Sequence, residues 1–325
     1  MNIIKINKFD NYSTNKFLIF SLIGILFRVW ISQFGSNMDF ASWQANLDIY
    51  KEGRSIWDDG MYSYGSPWIY TLYFLDSIKF PILETNSFVQ SIPGTFYRFK
   101  IVIFLSLIDI FIFFLLYKNY SLKVGLLYLL NPISIILTGH HNAFNNYAIS
   151  IAFFAMLLYG DLNNKSISKK KFISIILLGL SISIKHILFF LPIWLAFKEK
   201  KLVNKLVVCV IPYIIFLISF TPFFAEDINQ IIYKIFVYGR SETGPFWKVL
   251  LADIFDRHLS FFTLYSILMM ILGVLLVDKK NKDNFFLYLI ASIVFAPQMY
   301  TQYLYIPLIA SIIYLNWKYF IYIVL

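Results

Sequence analysis

Charge is scarce in this chain. Of its 325 residues only 14% are Asp, Glu, Lys or Arg, while 59% are hydrophobic and the mean hydropathy is +0.68. Soluble domains carry roughly 45–50% apolar and about 25% charged residues, so an ordinary water-soluble globule is excluded. Cysteine is scarcer still. Cys209 stands alone within an apolar run, which excludes a disulfide inside the chain and leaves the redox compartment open. Four histidines are present, His140, His141, His186 and His258, with no His-x-x-x-His spacing and no cysteine beside them, so no metal site is expected. Also missing are the short alternating segments of an outer-membrane barrel and a small-residue cleavage site after the first apolar run, which therefore reads as a signal anchor. No repeat marks the paired halves of many transporters.

What the chain has instead is a series of continuous apolar runs rich in Ile, Leu and Phe. They fall near 17–34, 97–117, 121–138, 143–160, 172–184, 187–197, 202–223, 260–277, 284–297 and 303–316. In a bilayer every backbone polar group must be satisfied internally, so these runs predict an all-α polytopic membrane protein of about ten transmembrane helices, folded as a single domain over 1–325. Several runs are short or interrupted, at Asn131-Pro132, Lys185-His186 and Ala296-Pro297. Such breaks are tolerated where they line a protein-walled cavity.

The net charge of +10 is distributed for orientation rather than for nucleic acid. Lysines precede the first run (Lys5, Lys8, Lys16) and cluster at Lys118/Lys123, Lys165–Lys171, Lys198–Lys205 and Lys279–Lys282. Placing these clusters inside satisfies the positive-inside rule with a cytoplasmic N-terminus. Two long loops, 35–95 and 224–259, and short turns at 139–142, 185–186 and 298–302 then lie outside, and with them every histidine and most of the carboxylates. Chemistry or recognition is therefore expected at the outer face.

The first outer loop contains "SNMDFASWQANLDIY", in which Phe40, Trp43, Leu47 and Tyr50 recur at helical spacing. This predicts an amphipathic interfacial helix with Asp39 as its N-cap. A second helix is predicted to begin at Pro67 and to present Trp68, Leu72 and Leu75. Asp39, at the rim of the inferred cavity, is placed to take a proton from a hydroxyl. His140, His141 and Asn142, in the turn of "NPISIILTGHHNAFNNY", suit sugar hydroxyls or a phosphate. Lys185, costly in lipid without an anion, and its neighbour His186 point to a phosphate at membrane depth. Arg240, between Gly239 and Gly244, is a further phosphate candidate, and Gln298, Tyr300 and Gln302 with Tyr303 are carbohydrate candidates near the C-terminus. Asp109, the other expensive residue, is expected to pair with Lys185 or Arg28 in a structural role.

Taken in order, "NMDFASWQANLDI", "YSYGSPWIYTLYFLD", "NPISIILTGHHNAFNNY", "IKHILFFLPIWLAF" and "APQMYTQYLYIPL" resemble the polytopic glycosyltransferases of the GT-C fold. The likeness is to the dolichyl-phosphate-glucose-dependent glucosyltransferases of lipid-linked oligosaccharide synthesis. The family's Asp-Tyr-Pro-Pro is reduced here to Tyr64-Gly65-Ser66-Pro67, and its Gln-Val-His-Glu-Lys pattern is replaced by the Gln298–Tyr303 stretch. The resemblance implies that Asp39 is the general base. It implies an inverting hexosyltransferase that uses a polyprenyl-phosphate sugar as donor and a lipid-linked or cell-surface glycan as acceptor, on the outer face of the membrane; the Lys-, Asn- and Ile-rich composition separately suggests a microbial plasma membrane. Lys185, His186 and Arg240 would hold the donor phosphate, and Tyr64, His140, His141, Asn142, Gln298, Tyr300 and Gln302 would contact substrate. No cofactor, metal or nucleic-acid partner is expected; membrane lipids are. The alternative class is a transporter or flippase for a lipid-linked glycan.

Overall fold

The computed structural model describes residues 11–57, 62–79, 95–160, 167–223, 228–237, 261–296 and 300–314. Every regular element among the described residues is helical. Among the described residues two helices are long and apolar enough to cross a membrane, Thr14–Ser32 and Tyr97–Asn119; a third span results if the bent pair Leu122–Leu129 and Pro132–Gly139 is counted as one. The expectation of about ten spans is thus corrected to two or three among the described residues, accompanied by shorter apolar helices such as Asn145–Tyr159 and Leu202–Ile218. The reason is length. At about 1.5 Å per residue, an eight-residue helix rises about 12 Å against a hydrocarbon core of about 30 Å. Proline and polar residues inside the apolar runs cut them into such pieces.

The described residues form two compact units. The first takes in the described residues within 1–62, 68–150 and 311–325. Its elements are α1 (Asn11–Ser32), α2 (Met38–Lys51), most of α3 (Ser66–Ser77), α4 (Thr95–Asn119), α5 (Leu122–Leu129), α6 (Pro132–Gly139) and the first turns of α7 (Asn145–Tyr159). Between α5 and α6 the chain turns by 45°. Pro132 cannot donate to the preceding turn, and Asn131 caps the new helix by accepting from the Ile133 N–H at 3.0 Å.

A buried polar centre ties these helices together. The Asp109 carboxylate of α4 accepts from Arg28 Nε (2.8 Å), Tyr128 Oη (2.7 Å), Thr138 Oγ1 (2.8 Å) and Asn146 Nδ2 (3.0 Å). Arg28 also donates to the carbonyls of Gly24 and Leu129, at 3.0 Å each, and to Ser134 Oγ at 2.5 Å. Its bond to Leu129 satisfies an orphan carbonyl at the break between α5 and α6. Of the two partners expected for Asp109, Arg28 is the one found. Both side chains are fully buried.

α2 and α3 confirm the two helices expected in the first loop, with a change at the cap. Asn37, not Asp39, is the N-cap of α2: its side chain accepts from the Phe40 N–H. The helix starts at Met38, so the oxygen that reaches the third helical N–H belongs to residue 37. Asp39 sits in the first turn instead, where the helix dipole favours a negative charge. Phe40, Trp43 and Leu47 are buried. Trp43, Trp68 and Phe144 interlock, the last two stacked at 4.1 Å between ring centroids. The apolar stripe of α2 therefore faces protein.

The second unit takes in the described residues within 63–67 and 151–310. It contains the rest of α7, α8 (Lys169–Ile184), a 3-10 turn (His186–Leu188), α9 (Leu191–Lys198) and α10 (Leu202–Ile218). These are followed by a second 3-10 turn (Thr221–Phe223), the short α11 (Ile228–Ile232), α12 (Phe261–Leu275), α13 (Asn281–Val294), a third 3-10 turn (Thr301–Tyr305) and the start of α14 (Leu308–Tyr314). α10 packs along α8 and α9, and α9 also packs on α12 and α13. A buried ion pair, Lys171 Nζ to Glu199 Oε1 at 2.5 Å, joins α8 to the end of α9, and Tyr159 Oη donates to the same oxygen at 2.7 Å.

Candidate functional site

The histidine turn of the first unit follows from local chemistry. α6 ends at Gly139, and Asn142 adopts φ 57°, a left-handed conformation that Asn tolerates better than most residues. Its Nδ2 donates to the carbonyls of Thr138 and Gly139, both at 3.2 Å. Its Oδ1 accepts from Arg98 Nε at 3.0 Å. Asn142 is fully buried, so the residue expected to contact substrate shapes the turn instead.

His140 and His141 are half-buried, with ring centroids 5.2 Å apart. His140 Nδ1 is buried and has no hydrogen-bond partner, an unmet capacity that a hydroxyl or phosphate could fill. Asp39 lies near enough for its charge to act on His141. Burial holds the His141 imidazole below its usual pKa, the neighbouring His140 adds to that, and Asp39 opposes it. The net effect favours the neutral imidazole of His141. The Asp39 carboxylate is half-buried and accepts from Asn37 Nδ2 at 3.2 Å. The structure thus brings Asp39, His140 and His141 into one neighbourhood.

A residue that the sequence reading did not single out organises this neighbourhood. Arg98, near the start of α4, donates through Nη1 to the Ser32 carbonyl and through Nη2 to the carbonyls of Gly35, Gly139 (3.3 Å) and His140 (3.1 Å). The only signal was a cation one residue inside an apolar run, which reads as an ordinary flank of a span.

In the second unit, Lys185 ends α8 with an extended backbone (φ −151°, ψ 124°) and is almost fully buried. A cation there complements the negative end of the helix dipole. Its ammonium lies over two rings, Tyr64 at 5.4 Å and Tyr303 at 5.7 Å from the centroids. Tyr64 arrives with the 63–67 segment and Tyr303 with the third 3-10 turn, so three separate stretches meet at one cation. The strand of chain after Lys185 is pinned by two tyrosines. Tyr288 Oη donates to the Ile187 carbonyl (3.0 Å) and accepts from the Phe190 N–H (3.1 Å), while Tyr213 Oη donates to the Phe189 carbonyl (2.6 Å). His186 begins the 3-10 turn, half-buried.

Tyr64 depends on its neighbour. A Cβ on Gly65 would fall 1.5 Å from the Ser183 carbonyl oxygen, a backbone atom that cannot swing aside. Ser66 Oγ donates to the Ser219 carbonyl and holds the same segment. Gly65→Ala is expected to cost about 1–3 kcal/mol or more through overpacking and to free the 63–67 segment. A lowered melting temperature together with faster proteolytic cleavage near Tyr64 checks this, whereas an unchanged melting temperature would show that the segment can shift without loss.

Of the remaining candidates, Tyr300 precedes the third 3-10 turn, its ring edge-on to Tyr303 at 5.6 Å, and Gln302 lies within that turn, half-buried. Arg240 and Gln298 lie outside the described residues. Among the described residues no group of three or more His, Cys, Asp or Glu side chains could hold a metal ion. No protein-family model, curated protein or solved structure matches the chain.

Proposed function

We propose that the protein is a multi-pass membrane glycosyltransferase of GT-C type. It would transfer a hexose from a polyprenyl-phosphate sugar to a hydroxyl of a lipid-linked or surface glycan, on the outer face of a microbial plasma membrane. The observation that carries this reading is the convergence of Tyr64 and Tyr303 on buried Lys185. Two rings flanking one cation suit a ligand that combines an anionic phosphate with a sugar face. Charge-assisted hydrogen bonds from a lysine to a phosphate are about twice as strong as neutral ones.

In the proposed reaction the acceptor O–H gives its proton to the Asp39 carboxylate as its oxygen bonds to the anomeric carbon. The bond from that carbon to the phosphate oxygen breaks on the opposite face, and the polyprenyl phosphate leaves with the electron pair. Within the second unit, Lys185, with His186 beside it and Arg240 as a further candidate, would bind the donor phosphate. His141 and the unmet Nδ1 of His140 would orient acceptor hydroxyls, and Tyr64, Tyr300 and Gln302 would contact the sugar. A monophosphate leaving group has no diphosphate to bridge with a divalent ion.

Thermal unfolding of the detergent-purified protein with short-chain prenyl-phosphate sugars tests the donor class. A ligand that binds only the folded state raises stability by RT ln(1 + [L]/Kd), about 2.7 kcal/mol at a hundredfold excess over Kd. One prenyl-phosphate sugar should raise the melting temperature where nucleotide sugars do not, and Lys185→Ala should abolish that rise. No rise with any prenyl-phosphate sugar would remove the transferase reading and favour a carrier of lipid-linked glycans.

A further inference from the structure

We propose that Arg98 is the positioning residue of the Asp39 neighbourhood: one guanidinium fastens the chain leading to Asp39 onto the histidine turn. The inference rests on the transferase reading for its kinetic consequence, while its structural content stands on geometry alone. All three guanidinium nitrogens are engaged. Nε donates to Asn142 Oδ1 (3.0 Å), Nη1 to the carbonyl of Ser32, the last residue of α1, and Nη2 to the carbonyls of Gly35, Gly139 and His140. The acceptors come from two stretches more than a hundred residues apart in sequence, 32–35 and 139–142. Gly35 has φ 121°, a region closed to most L side chains, and a Cβ there would sit 3.4 Å from His140 Nε2. The chain thus approaches the histidine ring closely four residues before Asp39. Arg98 itself is no candidate for a ligand contact, because its planar fork is already spent on backbone and amide oxygens.

The chemical consequence is mutual placement. A general base and the groups that orient the acceptor must agree in position, and a displacement of about 1 Å can cost about 10² in rate. A lysine cannot replace the fork: its ammonium is a single point with three donors and cannot span acceptors on two segments at once.

The test uses the full-length protein in lipid nanodiscs, as wild type, Arg98→Ala and Arg98→Lys. Amide hydrogen exchange of 32–37 and 139–144 is read beside steady-state transfer from the prenyl-phosphate sugar selected above. In Arg98→Ala both segments should lose protection together, by about tenfold or more, while α5 and α6 around Asp109 keep theirs. Turnover should fall by about 10² with the donor KM unchanged, and Arg98→Lys should recover neither quantity. Should the Ala variant fail to accumulate, the Lys variant, which keeps the charge and the aliphatic stem, carries the same comparison. Full protection of both segments in either variant, or full restoration by Lys, overturns the assignment. Loss of protection in a protein whose wild type shows no transfer supports the clamp and removes only the transferase reading.

Discussion

On the proposed chemistry, Asp39→Asn should lower the rate of sugar transfer by about 10²–10⁴, the range associated with loss of a general base. The substitution is nearly isosteric and leaves the fold in place for identifiable reasons. Asn37, not residue 39, supplies the side-chain cap of α2, so the capping bond survives. What is lost structurally is a favourable charge at the start of the helix, worth about 0.3–1 kcal/mol, and one acceptor for Asn37 Nδ2, now 3.2 Å away. The melting temperature should therefore change little while turnover collapses. The donor-induced rise in melting temperature should persist, because Asp39 acts on the acceptor. Transfer measured with the donor identified by thermal shift decides the matter. An Asn variant that turns over at the wild-type rate would leave Asp39 as a first-turn carboxylate and nothing more.

The second large effect concerns stability. Asp109→Ala removes the acceptor of four buried donors, Arg28, Tyr128, Thr138 and Asn146, and leaves the Arg28 charge without its carboxylate in a site closed to water. Breaking one side of a buried pair costs about 3–5 kcal/mol, a large part of the roughly 5–15 kcal/mol that holds a typical domain together. The break between α5 and α6 should loosen first, since Arg28 also serves the Leu129 carbonyl there. A control on the exposed face of α2, Asp48→Ala, should stay within about 0.5 kcal/mol of wild type. The double replacement Arg28→Met with Asp109→Leu separates charge from packing. A buried pair exchanged for apolar groups of similar volume is often neutral or better, so this variant should recover much of the loss. Equal melting temperatures for Asp109→Ala and Asp48→Ala would contradict a stabilising centre at Asp109.

The comparison of Asp109 with Lys185 shows what a residue's cost alone can reveal. Both stand in apolar runs, and both invite the inference that a partner must exist. For Asp109 the partner is Arg28, eighty-one residues away, and three further donors make the site self-sufficient. For Lys185 the neighbours include two tyrosine rings from distant stretches. The local environment separates a structural charge from a candidate ligand site, and it is built by packing between segments.

By itself the sequence determined the helical class, because an apolar chain with few charges can satisfy its backbone in lipid only within helices. It also determined the helix that starts beside Pro67, the interruption before Pro132 and the apolar stripe of α2, since proline chemistry and the 3.6-residue period act over a few neighbouring residues. Tertiary structure decided the rest. Helix length within each apolar run, and hence the number of spans, depends on where the chain turns against other helices. The shift of the α2 cap from Asp39 to Asn37 follows from a one-residue difference in where that helix begins. The five acceptors of Arg98, the use of Asn142 inside its turn, and the meeting of Tyr64, Lys185 and Tyr303 join residues far apart in the chain. No local pattern encodes such meetings, because they exist only once the intervening helices have packed.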